Sequence, residues 1–81
     1  MNDSRQYTKE DERALLKIFG RNLKGQRLKK GLTQEHLGEL ANVNYKYIGE
    51  IERGEKNPSA IILYKLSKAL GVSVEEIIAE F

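Results

Sequence analysis

The stretch QEHLGELANVNYKYIGEIE, Gln34 to Glu52, carries two short apolar patterns separated by a turn. Leu37 and Ala41 lie four residues apart, and Ile48 and Ile51 lie three apart, the spacing of one face of a helix. Between them, Asn42-Val43-Asn44 has the makings of a tight turn, because Asn tolerates the left-handed backbone such turns require. Thr33 is a suitable cap for a helix over Gln34 to Ala41. Asn44 is one for a helix from Tyr45 to about Arg53, which Gly54 ends. Gly38 is small, as a residue must be where the second helix crosses the first at close range.

Outward from this unit the periodicity stays helical. Residues 1 to about 8 are polar and read as a flexible arm. Thr8 can cap a first helix with Glu10, Asp11 and Glu12 in its first turn, where the helix dipole favours acids. Leu16, Phe19 and Leu23 form its stripe, widened by Leu15 and Ile18, and Gly31 ends it. Gly20 and Gly25 each cost about 1 kcal/mol relative to Ala there, so each marks a soft spot or a close approach by another backbone. Ser59 caps a fourth helix bearing Ile62, Leu63, Leu66 and Leu70, up to Gly71. Ser73 and Glu76 match a capping box for a short fifth helix with Val74, Ile77, Ile78 and Phe81. The expected architecture is all-α, five helices in one domain over residues 9–81. Its expected core is Leu16, Phe19, Leu23, Leu37, Ile48, Ile51, Leu63, Leu66 and Leu70.

Composition excludes several function classes. With 81 residues there is room for one modest core, and two Phe and no Trp leave it to aliphatic side chains. No Cys rules out disulfides and thiolate zinc sites, and one His builds no metal site without converging carboxylates. There is no apolar run near the roughly 20 residues a membrane helix needs, and no signal-peptide layout at the start. A reduced, cytoplasmic protein without cofactor is therefore expected. No nucleophile–base set or phosphate loop after a strand suggests an enzyme. Net charge is only +2, but Arg21, Lys24, Arg27, Lys29 and Lys30 stand together without an acid between them, whereas Glu75, Glu76 and Glu80 close the chain. Such polarity would orient the molecule near a polyanion, though a solvated helix face has the same charge pattern.

Lys30-Gly31-Leu32-Thr33-Gln34-Glu35, Val43-Asn44, Tyr47 to Gly54, Asn57-Pro58-Ser59 and Ala69 to Ser73 occur in order. With these words the chain resembles the lambda and 434 repressor, Cro and XRE-type helix-turn-helix family over about residues 16–78. Asn42 stands where the family usually has Gly, and Gly38 where it usually has Ala. The resemblance implies a lambda-repressor-like DNA-binding domain, with the second helix of the pair entering the major groove. It implies that Gln34 contacts a phosphate and braces that helix, that Asn44 and Tyr47 touch phosphates, and that Tyr45, Lys46 and Glu50 read base edges. In chemical terms Lys46 can donate to guanine, Glu50 can accept from cytosine or repel wrong bases, and Tyr45 can meet a thymine methyl. Gly49 would let the helix lie deeper or leave a base pair unread. Arg27 and Glu52 resemble a structural salt bridge between the first and third helices, and His36 is expected to be exposed without a site role.

The expected function is transcriptional regulation on a short inverted-repeat operator in double-stranded DNA, bound as a homodimer through Ile77, Ile78 and Phe81. No small-molecule ligand or membrane is expected as a partner. Length and layout are similar to restriction–modification controllers and other stand-alone regulators. A protein-interaction adaptor or an antitoxin that keeps the fold is the alternative.

Overall fold

A side chain that caps the next helix closes almost every connection in this chain, and the computed structural model describes residues 5–80. Helix α1 spans Lys9–Lys29, α2 Gln34–Ala41, α3 Tyr45–Glu52, α4 Ala60–Leu70 and α5 Glu75–Ile78. These are the five helices and the only regular elements among the described residues. Thr8 and Asp11 form a reciprocal capping box at α1, with bonds of 3.1 and 2.8 Å. Thr33 Oγ1 accepts from the His36 N–H at 3.0 Å, and Ser59 Oγ from that of Ile62 at 3.2 Å. Ser73 and Glu76 exchange the same kind of bonds where α5 begins. Each satisfies an amide that the first turn of a helix leaves without a partner.

Asn42 has φ 55, the left-handed conformation the turn needs, and ends α2. The turn sits so close to α2 that a Cβ at Gly38 would lie 2.6 Å from the Val43 carbonyl oxygen. Helix α1 packs against α3 and α5, and α2 packs against α3 and α4. At the centre lie Leu23, Leu37, Ala41, Val43, Ile48, Ile51, Leu66, Leu70 and Ile77.

This core differs from the expected one in two places. Leu16 and Phe19 are only half-buried, beside Leu15 and Asn57, because the start of α1 has fewer elements to pack on. Leu63 lies at the core's edge, partly buried. Ala41, Val43 and Ile77 take interior places instead. No helix among the described residues is long and apolar enough to cross a membrane.

Candidate nucleic-acid interface

Helix α3 has one face fixed and one face open. Ile48 and Ile51 are shut into the core, at 0% and 1% exposure. With about 100° per residue, Lys46, Glu50 and Arg53 then point away from it. Asn44 Oδ1 accepts from the Lys46 N–H at 2.8 Å and fixes the start of the helix. Tyr45, Lys46, Gly49, Glu50 and Arg53 line a shallow depression whose other wall is Gln34 at the start of α2. A second depression, between α2 and the start of α3, brings Glu35 and Asn44 beside Tyr45 and Lys46. Four of the six side chains expected to meet DNA thus share one concavity: Gln34, Tyr45, Lys46 and Glu50.

The orientation of α3 is held by a buried polar cluster. Arg27 on α1 donates from Nε to Glu52 Oε2 at 2.7 Å and from its second terminal nitrogen to Oε1 at 3.0 Å. Its remaining nitrogen donates to the Leu32 carbonyl at 2.8 Å. The two side chains are only 8% and 3% exposed. The hydrogen bond to Glu52 raises the Arg27 pKa above its ordinary value, with desolvation acting against it. Gln34 Nε2 donates to Glu52 Oε1 at 3.0 Å, so one carboxylate ties α1, α2 and α3 together. Bidentate, charge-assisted geometry fixes direction as well as distance, which makes α3 a rigid mount.

Several residues sit differently from expectation. Gly49 is buried beneath side chains: a Cβ there would lie 3.3 Å from Gln34 Oε1 and from an Arg53 terminal nitrogen. Its small size makes room for Gln34. Tyr47 is half-buried and packs against the core, outside the concavity, while Asn44 flanks it with its side-chain oxygen engaged by the backbone. His36 is exposed. Ile77, assigned to the dimer surface, is 0% exposed inside this chain's own core. It cannot touch a second copy without unpacking. Its side chain packs into the apolar core, and Asn22 on α1 pins that end of α5, with Nδ2 donating to the Ile77 and Ala79 carbonyls at 3.0 and 2.7 Å. Ile78 remains 38% exposed, and Phe81 lies outside the described residues.

Sequence reasoning missed Arg53, which stands seven residues after Lys46 and so on the same helix face. That spacing was a usable signal. Its partner was not visible: Arg53 donates to Glu55 at 2.8 and 3.2 Å, both side chains being exposed. This pairing raises the Arg53 pKa and lowers that of Glu55.

Residues 23–77 match the helix-turn-helix family profile. The chain belongs to this family. It is 42% identical over 62 residues to the HTH-type transcriptional regulator y4dJ of Sinorhizobium fredii, covering 76% of this chain and 80% of that protein. Against control protein C.BamHI of Bacillus amyloliquefaciens it is 37% identical over 62 residues, 75% of this chain and 76% of the other. The crystal structure of the restriction-modification controller protein C.AhdI from Aeromonas hydrophila superposes with a TM-score of 0.77 at 39% identity. That match covers 79% of this chain and 97% of that one. The expected fold class and family resemblance therefore hold.

Proposed function

We propose that this protein is a transcriptional regulator that binds a short inverted-repeat operator sequence-specifically as a homodimer, with no catalytic role. The observation that carries this reading is the open face of α3, presenting Tyr45, Lys46, Glu50 and Arg53 on a mount that Arg27, Glu52 and Gln34 hold fixed. Lys46 donates to a base edge in the first turn of the helix, and Glu50 reads or rejects one turn later. Gln34 and Asn44, at helix starts, meet the backbone phosphates, as does Tyr47 at the rim. Kinship with control proteins supports a place among restriction–modification controllers, working in the cytoplasm.

A single module of this kind covers only about 600–1,000 Å² of DNA-facing surface, so useful specificity calls for two. With Ile77 interior, the surface for a second copy falls to Ile78 on α5 and to Leu15 and Ile18 on α1, which packs beside it. Selection from a random duplex pool tests the reading. The expected product is an inverted repeat with half-sites about 10–10.5 base pairs apart or a multiple of that. Enrichment of no motif would overturn it in favour of an adaptor.

A further inference from the structure

Helix α1 carries Arg13, Lys17, Arg21 and Lys24 at intervals of three and four residues. At about 100° per residue they fall within an arc of about 80°, one ridge of the helix. All four side chains are exposed. Among the described residues none of the four takes part in a hydrogen bond or ion pair. The acids of α1, Glu10, Asp11 and Glu12, are confined to its first turn. A row of unpaired cations repels itself, and each member costs less when a polyanion lies alongside.

The position of the ridge says which polyanion. Lys17 lies against the end of the recognition helix: a Cβ at Gly54 would be 2.9 Å from Lys17 Cγ and 3.2 Å from its Cα. One turn on, Gly20 sits against the carbonyls of Ile51 and Glu52. The ridge therefore runs along the edge where α1 meets the C-terminal end of α3, next to Arg53. From Arg13 to Lys24 it is about 16 Å long, the rise of about five phosphates along one strand. Three of its four members precede residue 23, where the family match begins.

We propose that Arg13, Lys17, Arg21 and Lys24 form a phosphate-binding ridge that grips the DNA backbone flanking the half-site read by α3. This rests on the DNA-binding reading above. The ridge lengthens the footprint and adds affinity without adding base preference.

The test compares the wild-type protein, Arg13→Gln/Lys17→Gln/Arg21→Gln and the control Lys65→Gln/Lys68→Gln on α4. Binding to the selected operator is measured from 50 to 200 mM salt. One duplex ends at the half-sites, and another carries ten base pairs more on each side. Each lost phosphate contact lowers the slope of log affinity against log salt by about 0.9. The ridge variant is expected to lose two to three units of slope per protomer on the long duplex and to become indifferent to trimming. Wild type and control are expected to weaken when the flanks go. An unchanged slope in the ridge variant, or an equal fall in the control, would overturn the proposal while leaving operator binding intact. A wild-type protein that prefers no duplex removes the DNA-binding reading itself. Unchanged thermal transitions in the three proteins show that charge, not folding, is being compared.

Discussion

Two glycines in the same helix should respond to alanine with opposite signs. Alanine favours a helix interior over glycine by about 1 kcal/mol, and Gly20 and Gly25 both lie within α1. Around a Cβ at Gly25 there is nothing within 4 Å, so Gly25→Ala is expected to stabilise by about 0.5–1 kcal/mol. At Gly20 the same atom would fall 2.5 Å from the Glu52 carbonyl oxygen and 2.8 Å from its carbon. These are backbone atoms of α3 and cannot swing aside. Contact at ordinary distance needs α1 to retreat by roughly 1 Å. Retreat stretches the Arg27–Glu52 bonds and loosens Leu23 against Ile51. Overpacking of this kind costs about 1–3 kcal/mol and occasionally more, and the added strain on a buried ion pair puts the expected net loss at about 2 kcal/mol or above. That is a large part of the stability of a small domain. Urea denaturation of both variants gives the answer, read as a shift in midpoint at constant slope. Equal stabilisation by the two substitutions would refute the close crossing of α1 over the end of α3.

Glu52→Ala leaves Arg27 and Gln34 without their shared acceptor and is expected to cost about 3–5 kcal/mol in the same assay. Replacing Arg27 and Glu52 together by Met and Leu should recover much of that loss. Ile48→Ala opens a cavity in the core and should cost about 2–5 kcal/mol by denaturation. Ile78→Asp should give a folded monomer by sedimentation, whereas Ile77→Asp should unfold the chain, as circular dichroism would show, because it buries an unpaired charge.

Local chemistry made most of the fold legible. Thr8, Thr33, Asn44 and Ser59 each cap the helix that the sequence assigns to them, because a cap is decided within four residues. Gln34, Tyr45, Lys46 and Glu50 could be placed together for a similar reason: two helix starts and one helix period define their side of the turn. What failed depends on residues far apart in the chain. The two bonds from Asn22 to the end of α5 span 55 and 57 positions, and nothing near Ile77 reveals which way its short helix is turned. Leu16 and Phe19 have a perfect helical spacing, but spacing cannot say how far the packed partners of a long helix extend. That Gly49 accommodates Gln34 was hidden for the same reason, since that side chain comes from fifteen residues earlier.

The claim that α3 reads sequence while α2 only positions it can be measured directly. Affinities of wild type, Lys46→Ala and Gln34→Ala for the selected operator, and for every single-base change in one half-site, give a preference profile for each protein. Lys46→Ala is expected to flatten the profile at one base pair by about 1–3 kcal/mol and to leave the others intact. Gln34→Ala should lower every affinity alike, with the salt slope nearly unchanged because a neutral side chain releases no counterion. If Lys46→Ala lowers the salt slope and leaves the whole profile unaltered, Lys46 is a phosphate contact only, and the account of how α3 reads DNA is wrong at its centre.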